Sequence, residues 1–236
     1  MHVVPAPATT ASRGLNMNWV MSLWRSTIGK KAVMAVTGLI GIGFVIGHMS
    51  GNLLAFQGQE AIDSYAASLR EIGGGAALWA IRAVLLLAVI LHVVAAFQLT
   101  RRKQTARGRG YEKVDPQVST WASRTIRIGG VFLLVWLVFH ILHFTVGTVH
   151  PQFVHLRPFH NLTTAFSNPL IVAFYLVAML FLGLHLYHGA WASMRTLGVF
   201  RASAHPLQRR LPTIIAIVLA LGFSAVPLAI LFGIIA

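Results

Sequence analysis

The chain has 236 residues, 56% of them hydrophobic and only 10% charged, with a mean hydropathy of +0.73. A soluble domain carries about 25% charged residues, so this is the composition of an integral membrane protein. The absence of cysteine excludes disulfides, thiolate-held iron–sulfur clusters, cysteine-ligated zinc and covalent haem attachment, and the net charge of +14 is crowded between apolar runs, which fits membrane topology rather than nucleic-acid binding.

Residues 1–17 are small, polar and proline-bearing, and are expected to be a disordered tail without the basic start and apolar run of a signal peptide. Met17 opens MNWVMSLWRSTIGKK, which reads as the more natural start. In residues 18–30, Trp19, Leu23 and Trp24 lie beside Arg25, the pattern of an interfacial segment leading into a membrane span. Apolar runs of bilayer length then predict five spans, at about 32–55, 76–99, 126–148, 169–193 and 212–235. In the first, Gly43, Gly47 and Gly51 form a stripe four residues apart beside His48. It suits close helix packing or a porphyrin face lying against the backbone. Between spans one and two, Ile62, Tyr65, Leu69 and Ile72 recur at helical spacing among Glu60, Asp63 and Glu71, which predicts a short amphipathic helix on the membrane surface. The segment 149–167 reads as a loop whose His150, His155 and His160 are solvated. The fifth span has no histidine and is expected at the edge of a four-helix core.

Lysines and arginines set the orientation. Arg13, Arg25, Lys30 and Lys31 precede span one, a basic run from Arg101 to Arg124 separates spans two and three, and Arg195, Arg201, Arg209 and Arg210 separate spans four and five. The alternate segments hold only Arg70 and Arg157. The N-terminus is therefore expected in the cytoplasm and the C-terminus outside. The fold expected is all-α: an integral membrane bundle of five transmembrane helices.

Each of the first four spans carries a histidine deep in its apolar run: His48, His92, His140 and His185. A neutral imidazole in hydrocarbon must satisfy both ring nitrogens. One such histidine could reach a neighbouring carbonyl, but one per helix at matched depths points to two bis-histidine haems. His48 and His140, about 16 and 14 residues into spans that start inside, lie roughly 21–24 Å from the inner face. His92 and His185, in spans that start outside, lie in the inner half. The predicted pairs are thus an outer His48 with His140 and an inner His92 with His185, offset by about 10–15 Å, so that the first four helices form a dihaem core. His143 and His188, one turn from His140 and His185, are alternative ligands or polar partners of a propionate or quinone. Propionates need cations. Arg82 is the candidate at the outer haem, unless it snorkels to the surface, and Lys31, Arg127 and Arg195 are candidates at the inner haem, unless they only anchor the positive-inside topology.

Three stretches carry a family resemblance: His48-x-x-x-Asn52 leading into Gly-Gln-Glu-Ala, Arg127-Ile-Gly-Gly with His140 thirteen residues on, and Phe174-Tyr175 followed by His185 and Gly189-x-Trp191. With the five spans, they resemble the dihaem cytochrome b anchor of bacterial succinate dehydrogenases and fumarate reductases, over about residues 25–236. The resemblance implies two b haems, a flavoprotein and an iron–sulfur partner in the bacterial cytoplasmic membrane, and a quinone, commonly menaquinone, near the outer haem. In that family the cytoplasmic haem, here on His92 and His185, is the one nearer the iron–sulfur subunit. Reduction of a quinone takes up two protons, and Glu60 and Asp63 are the candidate carriers, with an inner site around Lys31, Arg127 and His188 as the alternative. Some fumarate reductases of this type have an acid beside the ligand in span four. Here the run is Leu182-Gly183-Leu184-His185, and no span contains a carboxylate, which favours the succinate-oxidising direction. Two other readings fit parts of the pattern: the dihaem anchor of a formate dehydrogenase or hydrogenase, and a haem-free transporter with histidine proton relays.

Overall fold

The computed structural model describes residues 18–105, 121–200 and 206–236. The expected tail, His2 and His205, and most of the basic run after span two lie outside the described residues. Among the described residues eight α-helices follow in order: α1 (Asn18–Arg25), α2 (Thr27–Leu53), α3 (Gln59–Glu71), α4 (Ala76–Thr105), α5 (Trp121–Ile141), α6 (Pro158–Phe166), α7 (Pro169–Thr196) and α8 (Pro206–Leu231). No strand occurs among the described residues, so the fold is all-α as expected.

Among the described residues five helical segments are long and apolar enough to cross a membrane: Thr27–Gln57, Gln59–Thr105, Thr125–Val146, Pro169–Thr196 and Arg210–Leu231. They correspond to the five expected spans, the third and fifth ending two and four residues earlier than expected and the second joining α3 to the apolar α4. Their outward faces are hydrocarbon, with Leu86, Val135, Leu180 and Leu221 all more than 60% exposed, which is tolerable only against lipid. The chain is a multi-pass membrane protein.

Local chemistry sets the boundaries. Ser26 caps α2 by accepting from the Gly29 amide at 2.8 Å, and Asn168 caps α7 by accepting from Leu170 at 2.9 Å, with Pro169 at the first helical position. α5 ends in a π-helical turn, Leu142–Val146, closed by Gly147 at φ 86°. Gly147 also lies against the Phe153 ring, so a side chain there would meet both backbone strain and a ring.

In the bundle α2 packs on α4, α7 and α8, while α7 also packs on α5 and α8. One buried cluster joins Met49 of α2, Leu186 of α7 and Leu219 of α8. A second gathers Ile62 of α3, Leu162 and Phe166 of α6, Tyr175 of α7 and Ile230 of α8. The amphipathic helix expected after span one is α3. Ile62 enters the core, while Tyr65 keeps about a third of its surface and lays its ring on Gly51, whose bare backbone permits the approach.

The segment 149–167 departs from expectation. It is not a solvated loop, because α6 folds back onto α3, α7 and α8. Asn161, 4% exposed, ties its two limbs together by accepting from the Val154 amide and donating to the Val154 carbonyl, both at 2.8 Å. His150 is consequently 5% exposed, donates from Nε2 to the Asn161 carbonyl at 3.0 Å and accepts at Nδ1 from Gln152. His155 is exposed, as expected, and His160 is bonded to the Gln152 carbonyl.

Candidate functional site

The four span histidines meet in two pairs across helices. His48 of α2 faces His140 of α5 with ring centroids 5.9 Å apart, and His92 of α4 faces His185 of α7 at 6.1 Å. A metal ion held about 2 Å from one nitrogen of each of two imidazoles keeps their ring centroids about 6 Å apart. Both pairs therefore have the ring spacing that two imidazoles sharing one iron would show. No group of three or more histidine or acidic side chains converges among the described residues. A protein-only metal site would lack ligands, whereas a porphyrin brings four nitrogens of its own.

The separation of the pairs can be read twice. His92 contacts Thr37, eleven residues before His48 on α2, which is about 16 Å of helix rise. On α5, Gly130 lies against the His185 ring, ten residues before His140, about 15 Å of rise. Two different helices give closely similar offsets, at or just above the upper end of that expected from the spans.

Neighbouring groups fix the rings. When Thr37 Oγ1 donates its proton within α2, to the Val33 carbonyl at 2.8 Å or the Met34 carbonyl at 3.2 Å, it accepts from His92 Nδ1 at 3.2 Å. That leaves Nε2 of His92 as the lone-pair nitrogen. Phe44 stacks on His48 at 5.4 Å and Trp136 on His140 at 5.0 Å, which restrains rotation of both rings. From α8, Phe223 reaches His48 at 5.7 Å, so the fifth span contributes to the site and is more than an edge helix. A buried His185 Nδ1 has no hydrogen-bond partner among the described residues, an orphaned group at the centre of the site.

The glycine stripe divides. A Cβ at Gly43 or Gly47 would meet nothing within 4 Å, whereas one at Gly51 would strike Tyr65. Close packing applies to Gly51 alone, and the backbone of α2 beside His48 is open at the other two.

No family model matches the chain, and no solved structure does. A curated protein, the succinate dehydrogenase cytochrome b558 subunit of Bacillus subtilis (strain 168), is 23% identical over 200 residues, covering 84% of this chain and 93% of that protein. The chain resembles a succinate dehydrogenase cytochrome b subunit. The likeness runs almost end to end in both, as the motifs in the sequence imply.

The remaining candidates of this cytochrome-like chain are scattered. His143 is 3% exposed and meets Tyr175 and His150, while the ring against His48 is that of His140. His188 is half-buried one turn beyond His185. Arg82 stacks over Trp79 at 4.9 Å and borders a cavity of about 470 Å³ that Trp79, Phe153, Arg70, His155 and Arg157 also line. Lys31 and Arg127 are exposed, and Arg195 is exposed above Trp191 at 6.0 Å. The buried cation at that end is Lys30, 4% exposed above Trp24 at 5.6 Å. Glu60 is exposed. Asp63 accepts from the Phe159 amide in the first turn of α6 at 3.0 Å and pairs with Arg157 at 3.6 Å. Thr37, Tyr175 and Trp136 received no role from the sequence. The signal they carry is a hydroxyl or indole N–H inside an apolar run; both hydroxyls find partners, while the buried Trp136 Nε1 has none among the described residues.

Proposed function

We propose that the chain is the membrane-anchor cytochrome b subunit of a succinate:quinone oxidoreductase in the bacterial cytoplasmic membrane. Residues 18–236 act as one transmembrane unit with a cytoplasmic N-terminus. His48 with His140 would hold an outer b haem, and His92 with His185 an inner one. The observation that supports this best is the spacing of the pairs: 5.9 and 6.1 Å between rings, one helix-length offset of about 15 Å between pairs, and one ligand from each of four helices.

Bound haem irons supply one-electron transfer across the bilayer. The chain's own residues hold and insulate them. Thr37 keeps the Nε2 lone pair of His92 available, and the stacked Phe44 and Trp136 hold the outer ligand planes. The open backbone at Gly43 and Gly47 leaves room for a flat ring system. A flavoprotein oxidises succinate, and an iron–sulfur subunit passes electrons in at the cytoplasmic end. The quinone, with menaquinone as the first choice, is reduced at the outer end in the cavity between α3, α4 and the segment before α6. Arg82, Arg70 and His155 there can donate to quinone oxygens, and Trp79 and Phe153 provide apolar walls. The absence of carboxylates from the spans favours succinate oxidation over a proton-coupled reverse reaction.

The test is a reduced-minus-oxidised spectrum of the purified complex, titrated with succinate and then dithionite, with pyridine haemochrome analysis of haem content. About two b haems per anchor, at least one of them reducible by succinate, are expected. A preparation without Soret and α bands overturns the proposal in favour of a haem-free membrane protein.

A further inference from the structure

Tyr175 is 5% exposed and stands between two histidines of α5 and its π-helical turn. Its hydroxyl oxygen lies 2.9 Å from His143 Nδ1 and 3.4 Å from His140 Nδ1. The rings of Trp136, Phe139, Phe144 and Phe166 surround it, mostly edge-on, at 5.1 to 6.2 Å. A phenol has one proton to donate. If Nε2 of His140 is the coordinating nitrogen, its Nδ1 carries the ring proton and must be the donor to Tyr175. The phenol proton is then free to go to His143 Nδ1, and His143 keeps its own proton on Nε2. Only this order of protons satisfies all three groups when His140 is neutral and ligated.

We propose that Tyr175 and His143 are positioning residues of the outer haem centre, a directional pair that receives the ring proton of His140 and thereby sets the electron donation of that ligand. The inference rests on the bis-histidine reading above and goes beyond it. An acceptor on the second nitrogen raises the basicity of a metal-bound imidazole. A phenol that is itself donating to a further group is the better acceptor, and the aromatic surround keeps out competing water. A more basic ligand stabilises the oxidised iron, so the Tyr175 bond lowers the potential of the outer haem. The inner centre has no counterpart of this kind: His92 meets the aliphatic alcohol of Thr37, and His185 Nδ1 is unpartnered among the described residues. His143, buried and one turn from a ligand, thus gains a function without touching iron.

The experiment compares Tyr175→Phe and His143→Phe with the parent complex by potentiometric titration of the α bands and by the low-spin haem signals in electron paramagnetic resonance. The haem lost in His48→Ala identifies the outer centre. With both haems retained, Tyr175→Phe should raise the outer midpoint and shift its resonance, His143→Phe should do the same to a smaller extent, and the inner midpoint should stay put. A Tyr175→Phe complex with two haems and an unchanged outer midpoint overturns the proposal. If Tyr175→Phe retains only the inner haem, His143→Phe decides: a raised outer midpoint supports the relay and an unchanged one overturns it. A parent complex without haem would instead overturn the bis-histidine reading, and pyridine haemochrome analysis separates that failure from this one.

Discussion

Thr37 Oγ1 and His92 Nδ1 lie 3.2 Å apart on different helices, and the Val33 carbonyl of the threonine's own helix, at 2.8 Å, is the nearer acceptor for the threonine proton. With that proton on the carbonyl, the contact runs from imidazole to alcohol and leaves Nε2 of His92 for a metal. Thr37→Val keeps the shape and removes the side-chain acceptor, leaving His92 only the Met34 backbone. Loss of such an outer partner typically lowers metal affinity by about 10–100-fold. The inner haem should be depleted on purification while the outer one stays, and Thr37→Ser should restore it. Equal retention of both haems in Thr37→Val would show that the alcohol is not needed to hold the ligand.

The pairing of rings makes a second, sharper forecast. His92→Ala should leave about one haem per anchor, the outer one, since the His48–His140 pair lies about 16 Å along α2 from it. His143→Ala should keep both, because that ring meets Tyr175 and His150 and not His48. Pyridine haemochrome analysis of correctly assembled complexes reads the difference. Two haems in His92→Ala would break the assignment of ligands.

The span histidines and their pairing were legible in the sequence because two simple rules suffice. Apolar length locates each span, and rise per residue locates each histidine within it. What the sequence did not reveal depends on rotation and on long-range packing. Lys30 and Lys31 are equivalent by depth, but adjacent residues on a helix point about 100° apart, and the docking of α1 on α2 decides that Lys30 lies over Trp24 while Lys31 is exposed. His150 reads as a loop residue until α6 folds back and Asn161 supplies its acceptor. Asp63 looks like a free surface acid, yet its carboxylate serves the first turn of α6, ninety-six positions away in the chain. Tyr175 was visible only as part of a family motif, and its role needs the partner helix to be in place.

Docking of the soluble partners should follow charge. Lys31, Arg101, Arg102 and Arg195 lie at one end of the bundle, where Arg102 also donates to the Arg25 carbonyl at 2.7 Å and to Thr27 at 3.2 Å, holding the end of α4 to the α1–α2 junction. The iron–sulfur subunit is expected on this end, near His92 and His185, and its release should be promoted by salt because exposed charge pairs are screened. Cross-links from introduced cysteines beside Arg102 should capture it. Capture instead from positions beside Glu60 would reverse the orientation.

The last forecast concerns protons for the quinone. Its reduction consumes two protons, so a titratable group must lie within hydrogen-bond or one-water reach. Two carboxylates of α3, neither of which lines the outer cavity itself, can now be separated. Asp63 is held behind Arg157, which lines the cavity, while Glu60 is exposed one turn earlier on α3. Asp63→Asn removes the charge that holds Arg157 and weakens the start of α6, so it should disturb the cavity more than Glu60→Gln does. Haem reduction by succinate should survive in both variants, because in the proposed function electrons enter at the other end. Turnover with a menaquinone analogue should fall at least about tenfold in Asp63→Asn, equivalent to about 1.4 kcal/mol of barrier, and by less in Glu60→Gln. A fall in Glu60→Gln alone would mean that the exposed acid delivers the proton from the aqueous side and that the Arg157 pair is only structural. Unchanged turnover in both would remove the two acids from the reaction, leaving His155 at the cavity wall as the next group to replace.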